Sequence, residues 1–262
     1  MTSMATSLAT RRAEARAPEH LSRSRVVLDD GLRTTVYVAR YELARTALRV
    51  ARPRRPVPLG AWCDARGIPE AMVGGFFTRP DGAPLGELRT RGMARSHTPF
   101  DAPWDAVRGC LHVEAGRPRI AARRELPDEP RGDLLQAGPV LVRESEPAIR
   151  DGEDPEGFSA AAAQFDSDIT AGRYPRAALG IADGELLAVV CDGRSRADAG
   201  LSLAELAALL IELGAREAIN LDGGGSTSLV CAGELRNRPR ADFGVPLPGG
   251  RPIATALVFA AR

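Results

Sequence analysis

The sequence predicts a single α+β, or mixed α/β, domain with a strand-rich core and a few inserted helices. Short runs of β-branched, aromatic and aliphatic residues recur between glycine- and proline-containing turns, a pattern that is typical of strands. Few segments carry helical signals, so strands and helices do not alternate regularly as they do in a parallel α/β fold. No internal repeat or linker divides the 262 residues, and we therefore expect one domain.

The first half of the chain contains mostly strand signals. The segment Thr34–Ala39 is rich in β-branched and aromatic residues, and apolar residues alternate along the next run. Residues 80–103 are rich in glycine, proline and arginine, so we expect surface loops with at most short strands. The predicted elements are strands at 34–39, 46–50, 71–73, 111–113 and 140–142, and a short helix at 59–65.

The second half contains the clearest helix signals. An Asp-Pro pair predicts the start of a helix over residues 154–165. Ser202 and Glu205 form a capping box, which predicts a helix that ends at Gly214. Strands are predicted at 179–181, 186–191, 218–221, 229–235 and 254–260.

Composition limits the partners and the location. Residues 1–25 lack the apolar stretch of a secretory signal, so we predict a disordered tail, an ordered domain over 26–262 and a cytoplasmic protein. The formal net charge of +1 indicates neither a nucleic-acid nor a membrane partner. The four cysteines form no C-x-x-C pair and have no histidine at ligand spacing, so reduced thiols are expected. Nothing in the sequence predicts the oligomeric state.

The segment from Asn220 to Ser228 reads N-L-D-G-G-G-S-T-S and is the strongest candidate for a functional site. A buried strand delivers Asn220 and Asp222 into three glycines, where backbone can approach a ligand closely. Successive N–H groups can bind an anion, although Asp-Gly is also an ordinary turn signal. The candidate phosphate donors of this turn are Gly223, Gly224, Gly225, Ser226 and Thr227.

The glycine run resembles the N-L-D-G-G-G-S-[ST] signature of the phosphodiester glycosidase family, which includes bacterial members and enzymes that remove N-acetylglucosamine from a mannose-phosphate diester. Four other segments resemble segments of this family in the same order. The resemblance extends from about Val26 to the C-terminus. The four segments are Gly74-Gly75-Phe76-Phe77, Gly138-Pro139-Val140-Leu141-Val142, Pro175-Arg176-Ala177-Ala178-Leu179-Gly180 and Asp192-Gly193-Arg194.

This resemblance implies a hydrolase that cleaves the glycosidic C–O bond of a sugar-1-phosphate diester and releases the sugar and a phosphomonoester. Asp222 is the expected catalytic carboxylate, with Asn220 orienting it, and Asp192 is a further catalytic candidate. Arg176 and Arg194 are the expected phosphate donors, and Gly74 and Gly75 are expected to line the substrate site. The chain departs from the family at Val73, where Asn is usual, and at Ala177, where Thr is usual.

Two other functions are compatible with the same residues. A phosphodiesterase that breaks the P–O bond would use the same donors, usually with a metal-held nucleophile. A non-catalytic domain could bind sugar phosphates through the same turn, and the Val73 departure favours it. No cofactor is expected to be required and no metal ligands are assigned. A divalent cation held by Asp222 and loop carbonyls remains compatible with the sequence.

Overall fold

A computed structural model of the chain describes residues 18–79, 81–159, 169–170 and 172–262. The described residues form many short strands and three α-helices. The strands are β1 (Leu21–Val27), β2 (Arg33–Glu42), β3 (Thr46–Ala51), β4 (Ala71–Val73), β5 (Leu88–Thr90), β6 (Met93–Ala94), β7 (Gly109–Glu114), β8 (Arg117–Ala122), β9 (Asp133–Gln136), β10 (Val140–Arg143), β11 (Glu146–Pro147), β12 (Arg176–Ala182), β13 (Glu185–Cys191), β14 (Glu217–Asn220), β15 (Leu229–Cys231), β16 (Glu234–Leu235) and β17 (Ala256–Ala261). The helices are α1 (Leu59–Asp64), α2 (Trp104–Val107) and α3 (Leu203–Glu212), with 3₁₀ turns at Arg123–Glu125, Gly224–Ser226 and Asp242–Gly244.

The strands form three sheets, and neighbouring strands within them pair antiparallel. The seven-stranded sheet has the order β1-β2-β13-β12-β14-β10-β11. A five-stranded sheet has the order β16-β15-β4-β17-β3, and a second has the order β6-β5-β9-β7-β8. Antiparallel pairing explains why short turns are enough to join so many of the strands.

The large sheet is buried on both faces because apolar residues occupy successive positions of its central strands. Val36 and Val38 pack in a cluster with α3, whereas Tyr37 and Ala39 point to the opposite face and the main core. This alternation is the period of two that a strand imposes on its side chains. The main core also contains residues of both smaller sheets, so the large sheet lies between α3 and the other two.

The strand-rich part of the predicted fold class is confirmed, but the class itself needs correction. The fold contains more strand and less helix than an α+β fold implies. Its three sheets are antiparallel, so a mixed α/β arrangement is not confirmed. Helix α3 has the predicted capping box: Glu205 N–H donates to Ser202 Oγ at 3.1 Å and Ser202 N–H donates to Glu205 Oε2 at 2.8 Å. Its apolar face is buried as expected of an amphipathic helix.

Two predicted elements are corrected. The strand over 229–235 is a hairpin, because Ala232 and Gly233 have positive φ and reverse the chain between β15 and β16. The described part of the helix predicted at 154–165 forms turns, in which Asp154 accepts the N–H groups of Phe158 and Ser159. Residues 160–165 lie outside the described residues.

The N-terminal tail predicted over residues 1–25 overlaps an ordered strand. β1 begins at Leu21 and pairs with β2 along its whole length, so backbone pairing orders a segment of low hydrophobicity. Residues 1–17 lie outside the described residues. In the described part of the chain, no helix is long and apolar enough to cross a membrane.

Removal of the α3 cap is expected to destabilise the domain. Ser202→Ala leaves the Glu205 N–H without its side-chain acceptor, which costs about 1 kcal/mol of unfolding free energy. Urea denaturation followed by circular dichroism measures this loss. Ser24→Ala, at an exposed position of β1, is the matched control and is expected to change stability by less than about 0.5 kcal/mol. Equal losses in both variants would contradict the capping role.

Candidate functional site

The turn between β14 and β15 contacts two distant segments of the chain through backbone hydrogen bonds. Asp222 N–H donates to the Gly74 carbonyl at 2.9 Å, and Gly224 N–H donates to the Pro175 carbonyl at 2.8 Å. Residues Gly224–Ser226 form a single 3₁₀ turn. Three of the segments singled out in the sequence therefore meet at one place, at the end of the large sheet.

The glycines are required because these segments approach closely. A Cβ on Gly74 would lie 2.5 Å from Thr255 Oγ1, and one on Gly223 would lie 2.9 Å from the Pro175 carbonyl oxygen. Gly75 N–H donates to the same Thr255 hydroxyl at 2.8 Å. These contacts assign packing roles to Gly74 and Gly75, and the substrate contacts predicted for them stay predictions.

Only some backbone N–H groups of the turn can bind an anion, because others already donate to backbone carbonyls. Gly224 has φ 58° and its N–H is already engaged with Pro175. Ser226 and Thr227 donate their N–H groups to the Gly223 and Gly224 carbonyls, at 3.1 and 3.3 Å. The phosphate contacts predicted for Gly223, Gly224 and Gly225 stay predictions, and the Gly224 N–H already donates to the Pro175 carbonyl.

A group of buried side-chain oxygens on this turn has no hydrogen-bond partner among the described residues. Unsatisfied buried polar atoms each cost about 1–3 kcal/mol and are uncommon away from functional sites. Ser226 and Thr227 have no exposed surface, so a direct substrate contact with either hydroxyl requires the turn to open. The oxygens are Asn220 Oδ1, Ser226 Oγ, Thr227 Oγ1 and Ser228 Oγ.

Asn220 fixes the strand that carries the turn. Its side-chain Nδ2 donates to the Gly138 carbonyl at 2.9 Å, and the Gly138 N–H donates back to the Asn220 carbonyl at 3.1 Å. Its Oδ1 is buried and has no hydrogen-bond partner among the described residues. Asp222, two residues later, is half-buried at the start of the glycines. The orienting role predicted for Asn220 stays a prediction.

Arg194 lies against the glycine turn. A Cβ on Gly224 would lie 3.0 Å from Arg194 Nη1, so glycine makes room for the guanidinium. Arg194 Nη2 pairs with Asp242 Oδ1 at 2.9 Å, and Nη1 donates to the Arg240 carbonyl at 3.3 Å. Arg194 also has φ 57°, a strained conformation for a non-glycine residue that is often found at functional sites.

Arg251 is a second cation at the turn, and the sequence analysis missed it. A Cβ on Gly225 would lie 3.2 Å from both Nε and Nη2 of Arg251. The Arg251 N–H donates to the Gly225 carbonyl at 2.8 Å, which holds the two backbones together. Within the described ranges its half-buried guanidinium has no hydrogen bond or ion pair. Among 35 positively charged residues, nothing in the sequence distinguished this one.

The guanidinium of Arg176, which was predicted to donate to phosphate, contacts backbone carbonyls. The side chain is buried, and each guanidinium nitrogen donates to a backbone carbonyl, those of Leu201, Ile169 and Gly172. These bonds hold the loop before β12 and the chain that enters α3. Arg176 is therefore a positioning residue in this arrangement, and its contact with phosphate stays a prediction.

Both carboxylate oxygens of Asp192 accept hydrogen bonds from within the protein. Its Oδ1 accepts the Arg238 N–H at 2.7 Å, and its Oδ2 accepts the Tyr37 hydroxyl at 3.4 Å. Burial raises the pKa of Asp192, while the Arg238 N–H opposes that shift. These contacts hold the segment that leads to the Arg240 carbonyl, which accepts from Arg194. They give Asp192 a positioning role, and the catalytic role predicted for it stays a prediction.

A buried acid lies behind Asn220. Glu156 accepts the N–H groups of Gly109 at 2.8 Å and Val140 at 2.6 Å, and a Cβ on Gly138 would lie 2.6 Å from its Oε2. Burial raises the pKa of Glu156 from 4.5 to about 7, against these two N–H groups. The fully buried Arg108 donates to the Glu156 and Gly157 carbonyls. Glu156 therefore supports the peptide that anchors Asn220.

An open cleft of about 790 Å³ adjoins Arg194. Arg194, Arg196 and Arg240 line it together with Phe243, whose side chain is fully exposed. Phe243 has φ 57°, so a strained backbone presents an aromatic ring to solvent. Exposed aromatic faces beside cations are suited to a ring-shaped, anionic ligand.

In the described part of the chain, no group of metal-ligating side chains gathers around Asp222. Among the described residues, the group of His, Cys, Asp or Glu atoms close enough to share one ion is His20, Glu70 and Cys231. A cation at Asp222 would depend on backbone carbonyls and stays a prediction.

Comparison with known proteins gives one family. The family model described as phosphodiester glycosidase matches residues 66–260. No curated protein matches the chain. The fold is similar to that of the zebrafish N-acetylglucosamine-1-phosphodiester alpha-N-acetylglucosaminidase catalytic domain, auto-inhibited by its pro-peptide, at 19% identity with a TM-score of 0.69, covering 92% of this chain and 82% of that one.

Two further solved structures share the fold. A hypothetical protein from Synechocystis is 18% identical with a TM-score of 0.64, over 93% of this chain and 62% of that one. A candidate exported protein from Burkholderia pseudomallei is 19% identical with a TM-score of 0.63, over 87% of this chain and 74% of that one. The cytoplasmic location expected from the N-terminal composition is corrected by these comparisons, because one protein of similar fold is described as exported.

The buried acid predicts a pH-dependent stability. Because the folded pKa of Glu156, about 7, lies above its ordinary 4.5, its contribution is complete below pH 4.5 and is lost as the pH rises through 7. Between pH 5 and pH 8 the wild-type protein should lose on the order of 2–3 kcal/mol more unfolding free energy than Glu156→Gln. Urea denaturation at both pH values measures the difference.

Glu153→Gln, at an exposed acid three residues away, is the matched control and should keep the wild-type pH dependence. If the Glu156→Gln and wild-type stability profiles run parallel from pH 5 to 8, the raised pKa is wrong.

Proposed function

The chain belongs to the phosphodiester glycosidase family, and from this premise we propose that it hydrolyses the glycosidic C–O bond of a sugar-1-phosphate diester. The products are the free sugar and a phosphomonoester. The observation that carries this proposal is the placement of two guanidinium groups, Arg194 and Arg251, against the glycines that follow Asp222.

The two arginines supply what the departing phosphate needs. Cleavage of the anomeric C–O bond builds positive charge on the sugar and negative charge on the phosphate. Preorganised donors aimed at the developing charge are often the largest single contribution to catalysis. The Arg194 guanidinium is held by Asp242 and the Arg240 carbonyl. The Arg251 guanidinium has no hydrogen bond or ion pair among the described residues, so its N–H groups can donate to phosphate oxygens in a bidentate manner.

Asp222 supplies the second requirement, a carboxylate at the anomeric centre. It leaves β14 at the start of the turn, and its backbone is fixed by the Gly74 carbonyl. A carboxylate there can attack the anomeric carbon or accept a proton from the attacking water. Asn220, anchored by Gly138, would orient the carboxylate through its unpartnered Oδ1, or a sugar hydroxyl once the turn opens.

Phe243 supports the substrate class. Its exposed ring lines the cleft beside Arg194, and an aromatic face can pack on the apolar face of a sugar ring. Arginines on one side and an aromatic ring on the other suit a molecule that carries both a phosphate and a ring.

Neutralising Asp222 is expected to abolish turnover without abolishing binding. Asp222→Asn should lower kcat for a sugar-1-phosphate diester by at least about 100-fold, because a general base or nucleophile contributes at least that much. Initial-rate kinetics measure kcat, and calorimetric titration measures substrate affinity. Asp183→Asn, at an exposed turn between β12 and β13, is the matched control and should keep wild-type kcat. Wild-type turnover in Asp222→Asn would exclude the proposed role.

Removing the second cation is expected to weaken transition-state binding. Arg251→Gln should lower kcat/KM by roughly 10- to 1000-fold, as for loss of one donor to a developing oxyanion. Affinity for inorganic phosphate, measured by competition, should fall as well. Arg45→Gln removes an exposed arginine and serves as the control. If both variants have the same kcat/KM, Arg251 does not contact the phosphate.

A further inference from the structure

His20, Glu70 and Cys231 meet at the end of the β4–β15 pair that lies away from the glycine turn. Glu70 immediately precedes β4, whose other end leads into Gly74. The register pairs Leu229 with Met72 and Val230 with Ala71, which brings Cys231 opposite Glu70. His20 comes from the chain just before β1. This cluster is therefore separate from the proposed catalytic site.

The ligand atoms are spaced for one small metal ion. Cys231 Sγ lies 3.1 Å from His20 Nε2, and His20 Nε2 lies 3.2 Å from Glu70 Oε2. All three atoms lie within 4.8 Å of one another. Zn–S and Zn–N bonds of about 2.3 and 2.0 Å at tetrahedral angles separate sulfur from nitrogen by about 3.5 Å. A shift of a few tenths of an ångström would admit the ion.

We propose that this cluster binds one divalent transition-metal ion, with Zn²⁺ as the preferred occupant, through His20 Nε2, Glu70 Oε2 and Cys231 Sγ. A thiolate with an imidazole and a carboxylate is a donor set that suits Zn²⁺ and disfavours the hard ions Ca²⁺ and Mg²⁺. The site has three protein ligands and one open position, which water can fill from the half-exposed side of His20.

Neighbouring groups already orient the ligands. Ala232 N–H donates to Glu70 Oε1 at 2.8 Å, and the Tyr41 hydroxyl donates to Glu70 Oε2 at 2.7 Å. The Tyr41 ring lies 5.3 Å from the His20 ring and stacks on Phe259 at 4.1 Å. Such outer partners fix ligand orientation and strengthen metal binding.

A nucleophilic thiol is the alternative use of the same contact, and the surroundings disfavour it. Reactive cysteines need a sulfur that a substrate can reach, whereas Cys231 is fully buried. A bound cation would instead stabilise the thiolate.

Cobalt binding to the full-length, reduced and chelator-stripped protein tests the proposal. One equivalent of Co²⁺ should produce a thiolate-to-cobalt charge-transfer band and tetrahedral ligand-field bands, and Zn²⁺ should displace it. Cys231→Ser should lose the charge-transfer band, and His20→Gln should weaken Co²⁺ affinity at least about 10-fold. Cys63→Ala, which removes a buried thiol outside the cluster, should bind Co²⁺ as the wild type does.

Circular dichroism of each variant checks folding, and His20→Gln keeps the test decisive if Cys231→Ser does not fold, because His20 is half-exposed. Absence of a charge-transfer band in the wild type, or unchanged affinity in His20→Gln, would overturn the proposal. The cluster would then be a hydrogen-bonded thiol–imidazole–carboxylate group only. Glycosidase turnover is a separate measurement, so neither result bears on the proposed function.

Discussion

The close approach of backbone to backbone at the glycine turn is the constraint on which the site depends. Asp222 is fixed by the Gly74 carbonyl, Gly74 packs against Thr255, and the turn itself rests on Pro175. Side chains at Gly74 or Gly223 would push these segments apart by more than the contacts allow. The absence of Cβ atoms at Gly224 and Gly225 likewise makes room for Arg194 and Arg251. The glycines of this site therefore position both the carboxylate and the cations.

Much of this arrangement could be predicted from sequence, because its signals are local. The Ser202–Glu205 capping box and the alternating residues of β2 determine their elements through neighbours a few positions away. The N-L-D-G-G-G-S-T-S run identified the turn, since three glycines after a buried Asn-x-Asp have few structural uses. The turn at Ala232 was missed because alanine seldom adopts positive φ.

The remainder depends on contacts that no local pattern encodes. Arg251 contacts Gly225 from a different loop. Arg176 and Asp192 match the family pattern, but the Arg176 guanidinium donates to backbone carbonyls, and the Asp192 carboxylate accepts a backbone N–H and a tyrosine hydroxyl. His20 and Cys231 are 211 positions apart, so ligand spacing along the chain could not indicate their contact. In each case the tertiary fold brings together segments that are distant along the chain, and residue type alone does not indicate these contacts.

The most direct test of the central claim is the position of bond cleavage. Turnover of a sugar-1-phosphate diester in oxygen-18 water, followed by mass spectrometry, assigns the oxygen that water supplies. The account predicts label in the released sugar and unlabelled phosphate on the second product, because attack occurs at the anomeric carbon beside Asp222. Label in the phosphate would show P–O cleavage and contradict the glycosidase mechanism.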